Sequence, residues 1–116
     1  SVYIDGFGNS NDDICFVADI GGVVAGAVWC RIMHDYGHID DRTPSLAMSL
    51  LKAYRNMGIG TMMLQRMISR LAVRGYERVS LSVQKTNYAV RLYRKMGFEV
   101  VGDNGDELLM VCNLER

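Results

Sequence analysis

Ser45-Leu46-Ala47-Met48-Ser49-Leu50-Leu51, followed three residues later by Arg55-Asn56-Met57-Gly58-Ile59-Gly60-Thr61, is the most informative part of this chain. The first run is apolar and of strand length, and Pro44 before it can open a strand without losing a needed ladder bond. From Thr61 to Arg74 the residues Leu64, Met67, Ile68 and Leu71 recur at helical spacing, with Gln65, Arg66 and Arg70 mostly opposite. Gly75 then supplies a C-terminal stop. A strand that turns into a helix through glycines is a place where phosphates bind. The first helical turn leaves about four amide N–H groups without partners, and the summed peptide dipole adds roughly half a positive charge there. Gly58 and Gly60 let an anion approach the backbone because no Cβ intervenes, and Arg55 can add a bidentate charge-assisted contact. Read alone, the same segment also suits a plain tight loop.

Working outward, Val79 to Val83 reads as the next strand, and a strand–helix–strand unit of this length implies a right-handed crossover with parallel neighbours. In such sheets ligands sit beyond the carboxyl ends of the strands, where the glycine loop lies. Asn87-Tyr88-Ala89-Val90-Arg91-Leu92-Tyr93-Arg94-Lys95-Met96-Gly97-Phe98 follows, with Ala89, Leu92, Tyr93 and Met96 on one helical face. Upstream, Ile14 to Ile20, the pair Gly21-Gly22, and Val23 to Met33 read as a β-hairpin. Gly26 inside its second strand marks a bulge or a close backbone approach. His34 to Thr43 is a polar loop. Phe98 to Val101, the turn Asp103-Asn104-Gly105-Asp106, and Leu108 to Leu114 form a closing hairpin.

The 116 residues suit a single domain over 1–116. Thirteen basic side chains balance thirteen acidic ones, which removes the general electrostatic case for nucleic acid and makes any anion site local. Arg66 to Arg78, and Arg91, Arg94 and Lys95, read as solvated helix faces. Cys15, Cys30 and Cys112 are odd in number and lack CxxC pairing, so neither a disulfide framework nor a thiolate metal site is expected, and a cytoplasmic, reducing setting fits. No apolar run approaches the roughly 20 residues needed to span a bilayer, so no membrane partner is expected. Ser1 need not be the native start.

Together, Arg55-x-x-Gly58-x-Gly60 and Asn87…Ala89…Leu92-Tyr93…Gly97-Phe98 resemble the GNAT superfamily of acetyl-CoA-dependent N-acetyltransferases, over about Ile14 to Leu114. The resemblance implies a mixed α+β fold: a mostly antiparallel sheet with a central parallel strand pair and helices packed on it. It implies acetyl-CoA as cosubstrate and no metal. The amides of Asn56, Met57, Gly58, Ile59, Gly60 and Thr61, with Arg55, would hold the diphosphate, and the Thr61 hydroxyl would add a donor. Backbone at Met48, Ser49 and Leu50 would pair with the pantetheine amides as an added strand does, because in the family that strand and its neighbour splay apart.

Asn87 matches an asparagine near the pantetheine and thioester, although its separation from Tyr93 is one residue shorter than in many members. Thr86 could share that role, and a helix N-cap explains Asn87 equally well. Tyr93 matches the tyrosine that protonates the departing thiolate in many members: a phenol of pKa about 10 can donate to a thiolate whose parent thiol lies near 8.5. The plain alternative is a core tyrosine.

Two departures stand out. Some relatives carry a glutamate on the strand before the glycine loop, but Ser45 to Leu51 holds no carboxylate. His34, Asp35, His38, Asp40 and Asp41 on the adjoining loop could serve as base, and His34, which titrates near neutral pH, is preferred as the second catalytic residue. Members also generally begin with a strand and helices that wall the acceptor pocket, whereas thirteen residues precede Ile14 here. That N-terminal strand and those helices are expected to be largely missing, through an incomplete chain or a homodimer that covers the exposed edge.

The activity expected is transfer of acetyl to a primary amine of a small molecule or peptide by direct attack. The alternative is a non-catalytic acyl-CoA-binding sensor or regulatory domain. A nucleotide-binding domain is disfavoured, since neither GxxxxGK[ST] nor GxGxxG is present. The cysteines fall outside the matched motifs, which speaks against a covalent acetyl-enzyme.

Overall fold

Ile14, Phe16 and Ala18 are buried while Cys15 and Val17 between them are only partly so, the period-two pattern of a strand with one face in a core. The computed structural model describes residues 2–6, 13–31, 39–40 and 42–114. It forms this strand as β2 (Ile14–Ile20), joined to β3 (Val23–Arg31) through Gly21 and Gly22 at φ 58° and 88°. Positive φ at both turn residues gives the twist that antiparallel strands require. The hairpin forms as expected, although residues 32 and 33 of its second arm lie outside the described residues.

Six more elements follow the expected order: β4 (Ser45–Leu50), α1 (Ile59–Val73), β5 (Arg78–Gln84), α2 (Ala89–Lys95), β6 (Glu99–Asp103) and β7 (Glu107–Asn113). A single 3-10 turn, Lys52–Tyr54, which the sequence pattern does not signal, separates β4 from the glycine loop. The expectation of a largely missing N-terminal strand also needs amending. Val2–Gly6 forms β1, paired antiparallel with β2 from Val2↔Ile20 to Gly6↔Phe16.

The sheet order is β1-β2-β3-β4-β5-β7-β6. Every neighbouring pair is antiparallel except β4–β5, so the mixed, mostly antiparallel sheet is as the resemblance implied. α1 crosses β1, β2 and β3 and sinks Met63, Leu64, Met67 and Leu71 into a core shared with Phe16 and Val28. α2 contributes Ala89 and Tyr93 to the same core.

Gly26 meets both readings made for it. The β2–β3 register slips between Ala18 and Asp19, so Gly26 faces Ala18 while Val24 faces Asp19, and a Cβ on Gly26 would stand 2.6 Å from the Ser49 carbonyl oxygen. Backbone cannot swing aside as a side-chain tip can. Gly26→Ala is therefore expected to lose about 1–3 kcal/mol of stability, read as a lower urea midpoint at unchanged slope. An unchanged midpoint would show that the bulge absorbs the methyl group.

The parallel pair positions the site. β4 and β5 share one register pair, Ser45↔Ser80. The Ser80 amide donates to Pro44 O at 3.0 Å, and the two serine hydroxyls lie 3.4 Å apart in the core. No further register pair joins the two strands among the described residues, so they part toward their carboxyl ends.

Candidate active site

The glycine loop presents its amides because of two backbone conformations. Asn56 and Gly58 both have positive φ, 62° and 82°, the left-handed region that glycine enters without cost and asparagine tolerates. Gly58 is the N-cap of α1, and no side chain caps this end. The Met62 amide is the first to reach back, to Gly58 O at 3.1 Å, so the amides of Ile59, Gly60 and Thr61 precede the helical ladder and have no acceptor within the helix. No acidic residue occupies the first turn, and the dipole there is uncompensated.

The two glycines do different work. A Cβ at Gly58 would meet nothing within 4 Å, so glycine is needed there for its φ and leaves open space above the amides. A Cβ at Gly60 would lie 2.8 Å from Leu92 Cδ2. Gly60 thus lets α2 close against α1, a packing role that the sequence reading assigned to ligand approach.

Between the helices lies a cleft of about 550 Å³. Its loop side is formed by Leu50, Asn56, Gly58, Gly60 and Thr61. Its α2 side is formed by Tyr88, Arg91, Leu92 and Lys95, none of which was anticipated as part of a site. Their spacing of three and four residues was the available signal. A second cleft of about 570 Å³ lies at the opposite ends of β4 and β5, beside Arg42, Arg74 and Arg78, remote from the glycine loop.

Arg55 stands outside the cleft lining. Its Nε donates to Leu50 O at 3.2 Å and its guanidinium stacks over the Tyr88 ring at 3.9 Å from the centroid. It ties the end of β4 to the start of α2, leaving its terminal nitrogens for an anion. Asn87 precedes Tyr88, the cap residue of α2, and its Oδ1 closes a local turn by accepting from the Ala89 amide at 2.8 Å. Met57 is exposed.

On the β4 side, the Leu51 amide donates to Ala25 O at 2.8 Å. With the β3–β4 register, antiparallel alternation turns the amide groups of residues 45, 47 and 49 to β3 and those of 46, 48 and 50 toward β5. Met48 and Leu50 therefore face the gap where β4 and β5 part, although Leu50 O already accepts from Arg55. Ser49 spends its backbone on β3.

Tyr93 lies on the buried face of α2, 4% exposed, its ring 5.6 Å from that of Phe98. Burial, with Tyr88 adding a smaller contribution, pushes its phenol well above the usual range, so it stays protonated. His34, Asp35, His38 and Asp41 lie outside the described residues. Asp40 is occupied: it accepts from the Arg42 amide at 2.8 Å and pairs with Arg78 at 2.8 Å. The Arg42 and Thr43 hydrogen bonds hold its carboxyl below the ordinary range, which makes it a weak base. Burial pushes the Cys30 thiol up to about 12, so it is a poor nucleophile. Among the described residues no cluster of potential metal ligands occurs, and no helix is long and apolar enough to cross a membrane.

Residues 2–98 match the sequence model of the acetyltransferase (GNAT) family. The chain is 32% identical over 115 residues to an N-alpha-acetyltransferase of Sulfurisphaera tokodaii, covering 85% of this chain and 68% of that protein. It is 31% identical over 91 residues to N-alpha-acetyltransferase 50 of Danio rerio, covering 77% of this chain but only 53% of the relative. Its fold superimposes with a TM-score of 0.79 on a GNAT-family acetyltransferase of Streptococcus pneumoniae, at 28% identity, over 91% of this chain and 69% of that one. The uncapped helix start, the parting parallel strands and these likenesses agree: the chain belongs to the GNAT family of acetyltransferases, and so to the acyltransferase enzymes.

Proposed function

We propose that this protein moves the acetyl group of acetyl-CoA to a primary amine by direct attack, and that the amine is the α-amino group of a polypeptide. One observation carries the reading: the amides of Met48 and Leu50 face the β4–β5 gap beside the uncapped start of α1. A pantetheine arm carries amides for the gap and a diphosphate for the helix. The choice of acceptor is supported by the names of the two N-alpha-acetyltransferase relatives.

In this reading the amine nitrogen attacks the thioester carbonyl carbon, the C–S bond breaks, and the departing thiolate takes the Tyr93 phenolic proton. The proton released by the amine passes to water, and solvent reprotonates Tyr93. That all three cysteines are thiols suits a reducing compartment.

Thiol release from acetyl-CoA tests this directly, with peptides bearing free α-amines beside the same peptides N-terminally blocked. Turnover only with the free amines is expected. Saturable acetyl-CoA binding without turnover on peptide, lysine or polyamine acceptors would instead favour the sensor reading.

A further inference from the structure

Resting on the acetyl-CoA reading above, we propose that Arg91 and Lys95 form a second anion subsite, for a phosphate monoester set apart from the diphosphate. The chain then distinguishes acetyl-CoA from its 3′-dephospho form. Both residues are exposed on α2 and line the same cleft as Gly58, Gly60 and Thr61, and no carboxylate lines that cleft. Lys85, just past the carboxyl end of β5, is engaged elsewhere, pairing with Asp103 at 2.9 Å. Neither Arg91 nor Lys95 has an ion pair among the described residues.

Two like charges four residues apart on one helix repel, and an anion held between them removes that repulsion. The diphosphate does not need them, because the loop amides and the dipole already provide for it. Lys95 also stands away from that point. Seven residues at 1.5 Å rise place it about 10 Å along the axis from Tyr88, beyond the Arg55–Tyr88 stack. Acetyl-CoA carries a third phosphate, the 3′-monoester on its ribose, at a separation from the diphosphate that such an offset suits.

Calorimetric titration of the full chain with acetyl-CoA and with 3′-dephospho-acetyl-CoA tests the assignment. The unmodified chain should prefer acetyl-CoA by about tenfold to a hundredfold, and the preference should shrink at high salt. The double variant Arg91→Ala/Lys95→Ala should bind both compounds equally, with the affinity that the unmodified chain shows for the dephospho form. Arg94→Ala, which removes one positive charge from the same helix but outside the cleft, should keep the preference.

Equal binding of the two compounds by the unmodified chain would overturn the subsite while leaving the acetyl-CoA reading intact. Parallel loss of both in the double variant would place Arg91 and Lys95 on the diphosphate instead and also overturn it. Binding of neither compound by the folded, unmodified chain would end both. The first comparison needs no variant, so a misfolded double mutant leaves the test standing.

Discussion

Tyr93→Phe is expected to lower kcat by about 10²–10⁴-fold, the usual contribution of a positioned acid, while the dissociation constant for acetyl-CoA moves little. The substitution removes one oxygen from a ring packed against Phe98 in the core, so the shape that supports the cleft survives. Binding and turnover thereby separate, which a purely structural tyrosine would not produce. The pH profile adds a second readout. Burial raises the Tyr93 phenol, so the acid keeps its proton through the alkaline range in which an ordinary phenol, near 10, begins to ionise. kcat/KM should rise as the acceptor amine deprotonates near pH 8 and stay level to about pH 10. Undiminished turnover in the phenylalanine variant would remove Tyr93 from the chemistry and leave it as a core residue.

Gly58→Asp should abolish measurable acetyl-CoA binding. A carboxylate about 4 Å from a phosphate charge costs about 4 kcal/mol at an effective dielectric constant of 20, roughly a thousandfold in affinity. The empty space around Gly58 accommodates the side chain, and aspartate is among the residues that tolerate positive φ. A negative charge at a helix start is also favourable, so the thermal midpoint of the unliganded chain should change little. Gly58→Ala supplies the contrast, bringing strain at φ 82° without charge, and should weaken binding far less. Equal losses in the two variants would mean that backbone conformation, not anion contact, is what Gly58 provides.

Where local chemistry governs, the structure follows the sequence closely. The β2–β3 hairpin is set by alternating apolar residues around Gly21-Gly22, and the end of α1 by Gly75 at φ 89°. α1 begins at Ile59 rather than Thr61 because Gly58 is its cap. β1 escaped notice because Val2–Gly6 is short and becomes a strand only by pairing with β2. The cleft was half legible. The loop amides follow from two glycines, but the α2 wall depends on which side of that helix turns to α1, and Gly60 against Leu92 decides it. Arg91 and Lys95 look like ordinary solvated charges until that contact is known. The tie between Arg55, Leu50 and Tyr88 spans 38 residues of sequence and left no periodic trace.

The single register pair at Ser45 and Ser80 makes the sheet two leaves, one of β1 to β4 and one of β5, β7 and β6, fastened at one point. Each leaf completes its own antiparallel ladder, so neither depends on the other for most of its backbone hydrogen bonds. A cosubstrate lying in the seam then serves as a keystone as well as a reactant. Its arrival stiffens one leaf against the other, and slowed amide exchange in β7, distant in sequence from the glycine loop, would register occupancy alongside β4.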